Sequence, residues 1–150
     1  MKQREILVAD SPEGQKRVRE ALQDRYQLDF VSTLAEAKRH LCLETHKGLD
    51  MIIAGVHFDD SRMFDLLEFV RSVDHFDSLP FLAIQVKPAI GDDMESIKRT
   101  TQLLGASGYL ELQNLPDDKA NNTLVETVEV SFDKAVKYLR LDKRAPKKSG

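Results

Sequence analysis

The chain has no tryptophan, one cysteine, seven glycines and five prolines in 150 residues. None of its apolar runs approaches the roughly 18 residues that suggest a membrane-crossing helix. Each shortage excludes something. A single cysteine, Cys42, excludes an intramolecular disulfide framework and a cysteine-rich zinc site. Sparse glycine and proline leave no low-complexity segment ahead of the carboxyl-terminal tail, and no internal repeat is visible. Charge of one sign is scarce too: a formal net charge of −3 gives the molecule no whole-body attraction to nucleic acid. The amino terminus passes from Lys2, Gln3 and Arg4 into a strand-like segment. No signal peptide or membrane span is therefore expected, and the cytoplasm is the expected compartment.

What is present suits one soluble domain with a sizeable core: 41% of residues are hydrophobic and 31% charged. The organising stretch is Leu49 to Phe58, apolar without polar alternation, which predicts a central parallel strand covered on both faces. Glu5 to Asp10 is a second such run. Ser11-Pro12-Glu13 then predicts a helix start, with Ser11 as capping hydroxyl and Pro12 in the first turn. Val18 and Leu22 give that helix its apolar stripe, and Arg17 is placed among the residues facing water. A weaker strand spans Tyr26 to Val31. Ser32-Thr33 caps a second helix with Leu34, Ala37 and Leu41 at helical spacing, Cys42 packed beside them, and Lys47-Gly48 as its end. Met63 to Val70, Met94 to Leu104 and a last helix introduced by Pro116-Asp117-Asp118 and carrying Leu124 to Leu139 supply three more helices, and Leu79 to Val86 and Gly108 to Leu112 two more strands. Strict alternation of five strands and five helices predicts an α/β fold: a doubly wound five-stranded parallel sheet with helices on both faces. Residues 1–140 form the domain and 141–150 a flexible basic tail.

The pattern resembles the receiver domain of bacterial response regulators over about residues 4 to 140. The pieces that carry it are Ile6-Leu7-Val8-Ala9-Asp10 before a helix, Leu49-Asp50-Met51-Ile52-Ile53 leading to Phe64-Asp65-Leu66-Leu67, Leu79-Pro80-Phe81, and Gly105-Ala106-Ser107-Gly108-Tyr109-Leu110; the resemblance implies a flavodoxin-like sheet in the order 2-1-3-4-5. Receivers that transfer phosphate use two acids after the first strand to hold Mg²⁺, and an acceptor aspartate after the third. A hydroxyl residue after the fourth strand and a lysine after the fifth complete the set. The resemblance assigns these five positions to Asp10, Ser11, Gly55, Gln85 and Leu112, of which only Asp10 keeps the expected chemistry. The proline that usually follows the lysine falls on Gln113.

With no carboxylate at position 55 and a lone acid at position 10, neither phosphorylation nor a bound metal is expected, and no cofactor is implied. Lys87-Pro88 mimics the missing Lys-Pro after the wrong strand; Lys87 is either a loop residue or a pocket cation facing Asp10. Asp59 and Asp60 follow Gly55 by four and five residues and are weighed as substitute acceptors against solvated loop acids. His40, His46, His57 and His75 lack metal-pair spacing and are read as surface or loop residues. Tyr109 keeps the family's aromatic position on the face made by the fourth helix, fifth strand and fifth helix. The resemblance implies that this face binds another signalling protein and could also form a homodimer. The reading is then a phosphorylation-independent interaction module of bacterial signal transduction and not an enzyme. The alternatives are a flavodoxin-like enzyme or ligand-binding protein using the strand ends, and nucleic-acid contact through the tail, whose Lys137, Arg140, Lys143, Arg144, Lys147 and Lys148 stand against Asp142. A solvated helix end is the simpler account of those cations, so nucleic acid is not the expected partner.

Overall fold

The computed structural model describes residues 3–43, 48–87 and 94–144, with side chains in the last helix as far as residue 133. Lys47, His46 and Pro88, singled out above, lie outside the described residues. Strands β1 (Glu5–Ala9), β2 (Gln27–Val31), β3 (Leu49–Gly55), β4 (Phe81–Gln85) and β5 (Gly108–Glu111) alternate with helices α1 (Pro12–Leu22), α2 (Leu34–Leu43), α3 (Met63–Ser72), α4 (Met94–Leu103) and α5 (Asp117–Arg144). All neighbouring strands are parallel, as the alternation predicts, and the sheet order is β2-β1-β3-β4-β5, the one the receiver resemblance implies.

The period of two along each strand divides the core. Leu7, Ala9, Ile52, Ala54, Phe81 and Ala83 face one way, packed with Ala37 and Leu41 of α2 and Leu66, Leu67 and Val70 of α3. Ile6, Val8, Met51, Ile53, Leu82 and Ile84 face the other, packed with Val18 and Leu22 of α1 and Ala120, Leu124, Val128 and Phe132 of α5. The central strand β3 buries Met51 to Gly55 and pairs on both edges, which is why its sequence shows no polar alternation.

The helix ends show how local chemistry fixes the loops around the strand tips. Pro12 opens α1 as expected, and Ser11 has the extended backbone of a cap residue, but its side chain makes no capping bond. At α2, Thr33 Oγ1 accepts from the Glu36 N–H while Glu36 Oε1 accepts from the N–H groups of Ser32 and Thr33, a reciprocal capping box. α4 ends on Gly105, φ +98°, with Ala106 N–H donating to Thr101 and Gly105 N–H to Gln102, the Schellman pattern that glycine permits. Arg71 at the end of α3 donates to three carbonyls, those of Gly105 (2.8 Å), Phe76 (3.2 Å) and Leu79 (2.8 Å).

Three sequence expectations change. Cys42 is exposed: Ala37 and Leu41, four apart, face the sheet, and the next residue turns about 100° away. Arg17 does not simply face water but reaches across to α5, donating to Asp117 (2.6 Å) and Asn121 (2.9 Å). α5 continues to Arg144, into the segment assigned to the tail.

Candidate functional site at the strand tips

Parallel sheets gather their functional groups at the carboxyl ends of the strands. Here Asp10 follows β1, β3 ends at Gly55 and β4 at Gln85, and Leu112 follows β5 with its N–H donating to the Gln85 carbonyl at 2.8 Å. The fold thus brings together all five positions assigned from sequence.

Asp10 is only 3% exposed. Its Oδ1 accepts the Ser11 N–H at 2.7 Å. The rest of the carboxyl lies between two glycines. A Cβ at Gly55 would fall 1.9–2.1 Å from the Asp10 carboxyl atoms, and one at Gly14 would fall 1.7–2.8 Å from them. No side chain fits at either position while Asp10 stays. Burial raises the Asp10 pKa to about 7, against the lowering effect of the Ser11 hydrogen bonds and of Lys87. Gly14 was not singled out in the sequence, although a glycine inside the first turns of a helix costs about 1 kcal/mol against alanine and so marks a position with a reason.

Lys87 is within electrostatic reach of Asp10, yet its ion pair is with Glu13, Nζ to Oε2 3.6 Å. The Glu13 pKa is lowered by its own backbone hydrogen bond, then by Lys87, with His57 adding to the effect. His57 is half-buried, and its Nε2 has no hydrogen-bond partner among the described residues. Position 11 contributes a backbone donor and no carboxylate. The magnesium that the resemblance implies does not fit this donor set, because the one acid is enclosed between Gly14 and Gly55 and already bonded to Ser11. Among the described residues no three His, Cys, Asp or Glu side chains are grouped to hold a metal.

Gln85 is fully buried and bonds at both ends of its amide. Nε2 donates to the Lys87 carbonyl at 3.1 Å, and Oε1 accepts from the Tyr109 hydroxyl at 3.3 Å. The half-buried Tyr109 ring packs against the core beneath α2 and α3, and its pKa is pushed up to about 12 by burial, then by Glu111 and Glu95. Leu112 is 3% exposed and belongs to the core shared by α1 and α5.

Neither substitute acid enters the site as an acceptor. Asp59 Oδ2 accepts the Leu34 N–H at 2.7 Å, serving the start of α2. Asp60 is exposed. Both, with Ser61, sit at positive φ (43°, 57° and 67°), a left-handed turn.

No family model matches the chain, and no sequence relative is found among curated proteins. Solved structures do resemble it. Chemotaxis protein CheY4 of Vibrio cholerae is 20% identical, with 87% of this chain and 99% of that one aligned at a TM-score of 0.63. The signal receiver domain of a signal transduction histidine kinase from Syntrophus aciditrophicus is 19% identical, with 97% of each chain aligned at 0.67. The phosphorylated cyanobacterial phytochrome response regulator RcpA is 14% identical, with 98% of this chain and 100% of that one aligned at 0.65. At these identities the likeness is one of architecture, and the chain has the fold of response regulator receiver domains.

Proposed function

We propose that this protein is an atypical receiver domain that takes no phosphoryl group and works in the cytoplasm by binding another signalling protein, with no catalytic role of its own. The observation that carries the reading is the Asp10 carboxyl wedged against Gly55, in the space where an acceptor side chain would start. The two other replaced positions favour it as well. Gln85 supplies an amide that holds Tyr109 inward, and Leu112 replaces a cation with core packing.

The partner surface in this reading is α4, β5 and α5, centred on Tyr109, and a homodimer on the same face is an extension of it. A tyrosine contributes at an interface centre because it buries large area with few rotors to freeze. A partner captured from the native host and identified by mass spectrometry would be titrated by calorimetry with the wild type, Tyr109→Ala, and Lys147→Ala/Lys148→Ala at two salt concentrations. Tyr109→Ala is expected to weaken binding by about 1–2 kcal/mol with the fold retained. Full affinity in Tyr109→Ala with a salt-dependent loss in the lysine variant would move the functional surface to the tail.

A further inference from the structure

The sheet has a second end, where the strands begin, opposite the tips that carry Asp10 and Gln85. There α5 brings its buried Phe132 against Arg4 and Tyr26, which precede β1 and β2. The half-buried Tyr26 ring lies 5.6 Å from the Phe132 ring, tilted at 50°, and the exposed Arg4 sets its guanidinium 4.4 Å over Phe132. These three side chains wall a cleft of about 520 Å³ that Glu126, Glu129 and Asp133 of α5 also line.

The three carboxylates are exposed and stand at i, i+3 and i+7, on one stripe of the helix. Like charges at these spacings, Glu126 with Glu129 and Glu129 with Asp133, work against helix stability. The helix supplies Glu126 and Glu129 no relief: apart from the acids themselves, the residues three and four away are Asn122, Thr123, Val125, Val130 and Phe132. Among the described residues none of the three carboxylates has an ion pair or a hydrogen bond, and Arg4 lies on the ring without pairing with them. The Tyr26 pKa is raised by burial and then by Glu129, with Asp133 adding to the effect against Arg25 and Arg4, so these acids face the aromatic wall. Three carboxylates against one guanidinium leave an excess of negative charge focused in a cleft with aromatic sides.

A guanidinium meets both demands, because it is flat enough to lie on a ring while its N–H fork pairs with a carboxylate. Arg4 shows that this wall accepts one. We propose that the cleft is a docking site for an arginine-bearing segment of a partner protein, whose guanidinium lies against the Tyr26 ring and pairs with the carboxylates of Glu126 and Glu129. Arg4 is then a built-in competitor, a cation of the same kind held on the same wall. This surface goes beyond the one centred on Tyr109 and does not depend on it.

Fluorescence polarisation of a dye-labelled Gly-Arg repeat peptide titrated with the full chain at low salt tests it, beside a Gly-Lys peptide of equal length and charge. The arginine peptide is expected to bind about threefold tighter than the lysine peptide, and Tyr26→Leu should abolish that difference. Glu126→Gln/Glu129→Gln should weaken binding about tenfold, whereas the same loss of charge on α3, Asp65→Asn/Glu68→Gln, should leave it unchanged. Arg4→Gln should tighten binding about threefold by vacating the Phe132 face, a gain that a misfolded variant would not give. A wild type that binds neither peptide, equal affinity for the two, or a loss shared by the α3 pair would each overturn the proposal. Weaker binding in Arg4→Gln would overturn it as well, since Arg4 would then belong to the chain's own packing and not compete for the site.

Discussion

The carboxyl of Asp10 and the missing side chain of Gly55 compete for one volume, since a Cβ at Gly55 would lie within 1.9–2.1 Å of the Asp10 carboxyl atoms. Restoring an aspartate at position 55 must therefore expel Asp10, and it leaves Ser11, Gln85 and Leu112 unchanged. Gly55→Asp is expected to lose about 1–3 kcal/mol of stability. It should give no mass increase with acetyl phosphate and Mg²⁺, because the groups that stabilise phosphoryl transfer act together. Adding Asp10→Ala should return part of the loss, which four urea curves arranged as a double-mutant cycle would measure. A midpoint for Gly55→Asp at or above the wild type would mean that Lys87 leaves Glu13 for the new carboxylate.

A second expectation concerns pH. The Asp10 pKa is raised by burial from 3.8 to about 7, so between those values the folded state holds a proton that the unfolded state has released. Stability from this group is fully present below the unfolded pKa and is lost as pH rises toward and through about 7. Asp10→Asn keeps an acceptor for the Ser11 N–H and removes the ionisation. The variant should be more stable than the wild type at pH 8, by about 1–3 kcal/mol, with the advantage shrinking toward pH 5. Urea midpoints at the two pH values check it; parallel pH trends in both proteins would mean that Asp10 does not titrate in this range.

A third expectation concerns the loop after β3. Asp60 is exposed with φ 57°, a conformation that glycine adopts at no steric cost. Asp60→Gly should raise stability by about 0.5–1 kcal/mol. Asp59→Gly relieves the same backbone but gives up the 2.7 Å bond to the Leu34 N–H, so it should be neutral or destabilising. Thermal melts of the two variants that moved together would show that the Asp59 bond adds nothing.

The parallel, doubly wound sheet was legible because β1 and β3 are buried on both faces and read as unbroken apolar runs, with helix starts such as Pro12 and Thr33 between them, while the strand order came only with the receiver resemblance. The site was legible as five positions. Its arrangement was not. A strand-end acid looks the same in sequence whether it faces solvent or lies between two glycines, and the niche needs Gly14 and Gly55, 41 residues apart, to meet across a helix and a strand. Lys87 was weighed as a partner for Asp10, but only the fold shows that Glu13, in the first turn of α1, takes the pairing. Arg17 and Cys42 went wrong for a related reason: one apolar stripe on a helix does not say what its flanks meet when a neighbouring helix arrives from 100 residues away.

Arg71 binds the carbonyls of Phe76 and Leu79, which follow α3, and that of Gly105, which closes α4. One guanidinium therefore bridges the connection into β4 and the turn into β5, its Nε bonded to one and its Nη1 to the other. The turn that opens β5 is thereby tied to a side chain 34 residues upstream.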